Sequence, residues 1–318
     1  MEIGVDMSEL GFEGRVAVVT GAGRGIGRAY ALLLAQRGAK VVVNDLGGTM
    51  EGGGADSGPA HAVVEEIRAA GGTAVADTHD ISTQVGGAAV IDTALEHFGR
   101  IDVLVNNAGI IEYGDLSQVD LGNLERHLAV HPHGSFTTMW AAWPQFVEQG
   151  YGRVVLTTSS GVFGMAENLS YAAAKGGLIG LARSARLAGE PHDIKVNLVA
   201  PAAYTRMAGG DPLGEDTAKS PAPAMSPDAI APLVAYLAHE SCPVNGEIYT
   251  AGAGRFARLF LGSTEGYLHP DPRPGVEDVA ANWDTVNDEK GYYVPGSTLE
   301  WSGSFLRHLI PATPAEEK

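Results

Sequence analysis

Thr20-Gly21-Ala22-Gly23-Arg24-Gly25-Ile26-Gly27 follows the apolar run Val16-Val19 directly and opens into an Ala- and Leu-rich stretch. Side chains at these glycines would hold a pyrophosphate away from a helix N-terminus, where unpaired N–H groups and the helix dipole favour negative charge. A glycine triplet alone is a weak signal. Placed between a strand and a helix, with an acid at the right distance, it specifies a dinucleotide cradle. The acid is Asp45, about twenty residues further on and at the end of the second apolar run. A carboxylate there accepts hydrogen bonds from ribose hydroxyls and opposes a 2′-phosphate, so the expected cofactor is NAD, although Arg24 keeps a phosphate contact open and Asp45 has an alternative reading as a simple cap. Gly21, Gly23, Arg24, Gly25, Ile26 and Gly27 are therefore cofactor-binding candidates. Asp80 and Ile81, after the third apolar run, are candidates at the adenine; a turn-forming aspartate is the alternative for Asp80.

Working outward from this motif, apolar runs alternate with amphipathic stretches from Arg15 to about Thr250. Parallel strands buried on both faces read as near-continuous aliphatic runs, so the alternation predicts an α/β, Rossmann-type, doubly wound parallel sheet with helices on both faces. Seven strands are expected, at Val16-Val19, Val41-Asn44, Thr73-Ala76, Val103-Val105, Val154-Thr157, Lys195-Val199 and Glu247-Tyr249. Gly47-Gly58 reads as a surface loop before a helix at His61-Ala70, and Ala202-Ala224, rich in Gly, Pro and Ala, as a loop or lid. The alternation stops after Gly254. Residues 1-254 are thus expected to form the catalytic domain and 255-318 a C-terminal extension, with one helix at Gly275-Asp288, packed on the domain or on a partner subunit.

Bulk properties narrow the function classes. The 318 residues carry a net charge of -17 with no basic tract, which argues against a nucleic-acid partner. Cys242 is the only cysteine, so no intramolecular disulfide can form, as suits a reducing compartment. Met1 to Glu13 carries acids instead of a basic region followed by an apolar run, no apolar run is long enough to span a membrane, and the last residues lack a peroxisomal tripeptide. A cytoplasmic location with no membrane span is expected. No metal site is expected.

Tyr171 and Lys175 lie four apart in Ser170-Tyr171-Ala172-Ala173-Ala174-Lys175, a strong helix former that sets both on one face. A phenol with a pKa near 10 is a poor base at neutral pH, and a neighbouring ammonium would stabilise its phenolate. The glycine motif, Asn106-Asn107-Ala108-Gly109 after the fourth strand, a serine cluster before Tyr171, and the Tyr171/Lys175 pair occur in the order and spacing of the short-chain dehydrogenases/reductases, which residues 15-250 resemble. The resemblance implies that Tyr171 is the general acid/base, that Lys175 binds the nicotinamide ribose and assists it, that a serine orients the substrate oxygen, and that Asn107, Ala108 and Gly109 support the sheet and the adenosine side. The family usually places its serine thirteen residues before the tyrosine, at Thr158 here; counting from the strand entry at Gly152-Arg153 gives Ser159. Ser159 is preferred, because a deletion is easier in the following loop than in a buried strand, and Ser160 is second. Where many members carry an asparagine, this chain has His131, either a holder of a water near Lys175 in a proton relay or a buried histidine satisfied by backbone carbonyls. Pro201 and Thr205 align with the segment that closes over nicotinamide.

One branch is closer. The run Val41-Gly48 with its long loop, His131, Ala231-Val234 with His239-Cys242, and Gly252-Ala253-Gly254 resemble the (3R)-hydroxyacyl-CoA dehydrogenase part of peroxisomal multifunctional enzyme type 2. The implied reaction is NAD-dependent oxidation of a (3R)-3-hydroxyacyl-CoA to its 3-oxo form, in lipid or steroid side-chain β-oxidation. A 17β-hydroxysteroid substrate and a nonenzymatic NAD-binding sensor are the alternatives, and the intact Tyr171/Lys175 pair argues against the sensor. Trp140, Trp143, Phe163, Met165, Tyr204 and Met207 are candidate pocket residues, and Arg206, Arg255 and Arg258 candidates for CoA phosphates. The resemblance also implies a homodimer or homotetramer formed through Gln118-Val130, Ser135-Gln149 and the helix of Tyr171.

Overall fold

The computed structural model describes residues 10–203 and 225–309. Its sheet runs β3-β2-β1-β4-β5-β6-β7-β8, with β1 Val16–Thr20, β2 Lys40–Asn44, β3 Thr73–Asp77, β4 Val103–Asn106, β5 Gly152–Thr157, β6 Ile194–Pro201, β7 Ile248–Gly252 and β8 Arg255–Leu259. The first seven pair in parallel, with Val18 opposite Val42 on one side and Leu104 on the other. All five β1 residues are buried, as a strand covered on both faces requires. The eighth strand exceeds the expected seven. It follows β7 after only Ala253 and Gly254, both at positive φ (49° and 73°), and a two-residue turn of that kind joins antiparallel neighbours.

Helices α1 (Gly25–Gln36), α2 (Gly58–Ala69) and α7 (Ala231–Ala238) cover one face, and α3 (Gln84–Phe98), α5 (Gly134–Gln149) and α6 (Leu169–Gly189) the other. Because β1 leads to β2 on one side and β4 lies on the other, the crevice at their carboxyl ends is where an open α/β sheet binds ligands. Helix α4 (Leu121–Leu128) does not stop before α5. A π-helical turn, Ala129–His133, joins the two, with Gly134 N donating to Ala129 O across it. Pro132 lies inside that turn and has no N–H to give, which accounts for the widened ladder.

The chain divides into two compact units, residues 1–258 and 259–318. The boundary falls after Arg258 rather than Gly254 because β8 belongs to the sheet. In the second unit the helix expected over Gly275-Asp288 is interrupted at Asn282, giving α8 (Val276–Ala281) and α9 (Trp283–Val286), followed by α10 (Thr298–Phe305).

Candidate active site

The turn after β1 is shaped by contacts that leave no room for side chains. Gly21 has φ +62° and its Cβ would lie 2.7 Å from Ala108 Cα; a Cβ on Gly27 would lie 2.2 Å from Gly21 O. Asn107 holds the turn from β4, its Nδ2 donating to Thr20 O and Gly21 O, each at 3.1 Å, while the Asn107 and Ala108 amides both donate to Thr20 Oγ1. Asp45 closes the other side, accepting from Gly23 N and Gly47 N at 2.7 Å each. Each carboxylate oxygen retains a second acceptor site for a hydroxyl.

Whether a dinucleotide fits is tested by the caps. Thr83 caps α3 and Asp120 caps α4, whereas α1, like α2, α5, α6 and α7, has no side-chain cap; what marks α1 among these is the glycine turn before it, where a Cβ on Gly21 or Gly27 has no room. The first N–H groups of α1 thus face the glycine turn with their dipole uncompensated, as an anionic pyrophosphate needs. The residues fit the group.

Helix α6 carries Tyr171 and Lys175. Lys175 is buried and donates from Nζ to Thr157 O at 2.7 Å, leaving capacity for further acceptors on an ammonium with three donors. Burial pushes its pKa down from 10.5 to about 7. Its Nζ stands 5.6 Å from the centroid of the Tyr171 ring. Desolvation raises the Tyr171 phenol, and a hydrogen bond with Ser159 opposes that rise. Thr158, by contrast, spends its hydroxyl on Lys175 O at 2.8 Å, and Ser160 begins an exposed 3-10 turn, so Ser159 is the member of the cluster that meets Tyr171. Ile26, Asn107, Gly109, Ser159, Tyr171, Lys175 and Pro201 share the walls of one cavity of about 380 Å³.

His131 is buried in the π-helical turn, edge-on to Tyr171 with ring centroids 5.4 Å apart. Its Nε2 lies 3.0 Å from Ile110 O and 3.4 Å from Ile110 N, and its Nδ1 is buried without a hydrogen-bond partner among the described residues. A methyl group on Gly109 would stand 3.2 Å from that Nδ1 and 3.6 Å from Lys175 Nζ, so both face the same small space. Burial and the Lys175 charge depress the His131 pKa well below 6.5. A second imidazole, His127, stacks on His131 at 6.1 Å and also meets Tyr171 edge-on. Sequence reasoning passed over it; the signal available was the i, i+4 repeat of His127 and His131.

Other candidates fall elsewhere. Arg24 and Gly47 line a separate hollow of about 610 Å³ with Thr49, Met50 and Glu51, and Arg24 faces Asp56 at 4.0 Å. Asp80 forms a turn, its Oδ1 accepting from Ser82 N, and Ile81 is buried. Met165 lines the Tyr171 cavity, but Trp140 and Trp143 do not: they line an apolar groove on α5 and α6, because their positions on α5 face away from the sheet's carboxyl edge. Phe163 is 78% exposed. Arg258 pairs with Glu247 at 2.6 Å, and Arg255 is exposed on β8. Tyr204, Thr205, Arg206 and Met207 lie outside the described residues.

The family model for short chain dehydrogenases matches residues 15–210. A short-chain type dehydrogenase/reductase of Mycobacterium tuberculosis is 44% identical over 91% of this chain and 99% of its own length. Peroxisomal multifunctional enzyme type 2 of Drosophila melanogaster is 44% identical over 95% of this chain, which spans 50% of that enzyme. The solved full-length structure of the Drosophila enzyme superposes with a TM-score of 0.77, covering 94% of this chain and 50% of that one at 36% identity. A 7α-hydroxysteroid dehydrogenase, solved with NADH and 7-oxo glycochenodeoxycholic acid, superposes with a TM-score of 0.68 at 28% identity, covering 77% of this chain and 95% of that one. No helix among the described residues is long and apolar enough to cross a membrane. With the glycine turn, the Tyr171 cavity and these relatives in agreement, the chain belongs to the short-chain dehydrogenase family and is an oxidoreductase of the dehydrogenase/reductase class.

Proposed function

We propose that this chain is an NAD-dependent dehydrogenase that oxidises a (3R)-3-hydroxyacyl-CoA to the 3-oxo thioester. The observation that carries the reading is the meeting of Tyr171, Ser159 and Lys175 in one cavity with Asn107 and Gly109, the loop that backs the glycine turn. The glycine turn and Asp45 would hold the adenosine end, and Lys175 the nicotinamide ribose. When bound, NAD supplies the acceptor for the hydride that leaves the carbinol carbon. Ser159 orients the alcohol oxygen, and Tyr171 takes its proton as phenolate, a form that its hydrogen bond with Ser159 favours and that the Lys175 ammonium, 5.6 Å from the ring, would favour further. His131 Nδ1 would hold a water beside Lys175, and that water, not the imidazole, would carry the proton away. Asp45 favours NAD over NADP by like-charge repulsion of a 2′-phosphate.

The substrate assignment draws on the 44% identity to the multifunctional enzyme of Drosophila. A steroid ring hydroxyl is the second reading, favoured by the likeness to the hydroxysteroid dehydrogenase structure. Self-association through α5 and α6 is supported by the apolar groove that Phe136, Trp140, Trp143 and Leu181 line there. The test is NADH formation with a (3R)-3-hydroxyacyl-CoA, with a 17β-hydroxysteroid, and with NADP in place of NAD. Turnover of the thioester with NAD is expected. Tyr171→Phe should lose about 10²- to 10⁴-fold in kcat while its Kd for NAD stays within a few-fold. Turnover of the steroid alone would replace the substrate reading, and tight NAD binding with no alcohol oxidised would favour a sensor.

A further inference from the structure

The cleft wall opposite Ser159 is the extended segment Gly109 to Gly114, of which Ile111 and Tyr113 line the cavity. The residues that alternate with them, Ile110 and Glu112, are held by two histidines. His131 Nε2 holds Ile110 O at 3.0 Å, and His127 Nε2 accepts from Glu112 N at 3.3 Å. The two grips match because four residues of helix rise about 6 Å while two residues of extended chain advance about 6.6 Å. Stacked imidazoles one turn apart, with centroids 6.1 Å apart and planes 18° apart, can therefore reach alternate residues of the wall.

Glu112 is engaged through its amide, its carbonyl and its side chain. His127 Nδ1 lies 2.7 Å from Asn123 O, which places the proton on Nδ1 and leaves Nε2 as an acceptor. Asn123 Nδ2 donates to Glu112 O at 3.4 Å, and Arg126 pairs with the Glu112 carboxylate at 2.5 Å. Asn123, Arg126 and His127 share one face of α4, so a single helix turn engages the amide, the carbonyl and the side chain of one residue. Met50 O accepts from Ile111 N and Glu167 O from Gly114 N, which secures the rest of the segment.

We propose that His127 is a positioning residue: by accepting from Glu112 N it sets where Ile111 and Tyr113 stand over Tyr171 and so how the substrate's carbon chain is seated. The inference rests on the reading of the Tyr171 cavity as the site of alcohol oxidation. Its test compares His127→Leu, which keeps an apolar side chain but no acceptor, with His127→Gln, whose Oε1 can take the place of Nε2. In the full-length protein, H127L should raise KM for a (3R)-3-hydroxyacyl-CoA about tenfold, as expected when a buried amide loses its acceptor. The KM for NAD should stay within threefold, kcat should fall by less than the substrate KM rises, and H127Q should restore the substrate KM. Equal losses in kcat and both KM values, or no rescue by H127Q, would overturn the proposal. Hydrogen exchange of the 110–114 amides supplies a readout that needs no substrate. Exchange at least tenfold faster in H127L, with residues 16–20 unchanged, supports the grip, whereas unchanged protection of 110–114 overturns it even if the wild-type protein oxidises neither alcohol.

Discussion

Lys175 shows what one buried charge does to the whole protein. Its folded pKa of about 7 lies below its ordinary 10.5, so between these values the unfolded chain binds a proton that the folded, cofactor-free chain does not. Stability must then rise with pH across that window, by up to about 1.4 kcal/mol per pH unit from this residue. Urea unfolding of the cofactor-free protein from pH 7 to 9.5, compared with Lys175→Met, should show a steeper upward slope in the wild type. Parallel curves would contradict the depressed pKa. The pair of Tyr171 and Lys175 was legible in the sequence because helical spacing alone puts residues four apart on one face. Ser159 was preferred over its neighbouring hydroxyls only by counting from the strand entry, since the backbone geometry at the end of β5 decides which hydroxyl turns to Tyr171 and which, like Thr158, turns to the helix backbone.

Among the elements, the loop that follows β4 fixes the turn ahead of α1, Asn107 donating to the carbonyls of Thr20 and Gly21. Asn107→Ala removes two hydrogen bonds to the backbone of Thr20 and Gly21. A loss of about 1 to 3 kcal/mol in stability is expected by chemical denaturation. The NAD Kd, measured by calorimetry, should rise about tenfold or more; an unchanged Kd would show that the glycine turn holds its shape without β4. The strands were readable as aliphatic runs, to within one to three residues at their ends. Helix limits were less so: α2 starts at Gly58, ahead of the expected His61, because Pro59 is accommodated in the first turn, where no N–H is needed. The π-helical turn had no periodic signature, because Pro132 reads as a break and only packing keeps the helix running through it.

At the scale of the molecule, the first unit buries a large aliphatic core whereas none of the described residues 260–309 is buried. Its apolar contacts, such as the stacked pairs Phe260/Tyr292 and Trp301/Phe305, stay partly exposed and offset little of the conformational entropy of ordering it. Residues 259–318 expressed alone should therefore give the far-UV circular dichroism of an unfolded chain; a cooperative thermal transition in that fragment would contradict this. The apolar side chains of the segment, among them Leu268 and Leu299, were visible in the sequence, but composition does not say whether they meet one another.

The sequence by itself determined the doubly wound sheet, the glycine turn after β1 and the pairing of Tyr171 with Lys175, because each depends on a local rule: burial on both faces, glycine at a close backbone approach, and one helical turn between partners. The eighth strand, the grip of His127 and His131 on the cleft wall, and the removal of Trp140 and Trp143 from the site were decided only by tertiary structure. Each of these joins or separates residues through the register of one element against another, and that register is set by packing across the whole core, which no local pattern contains.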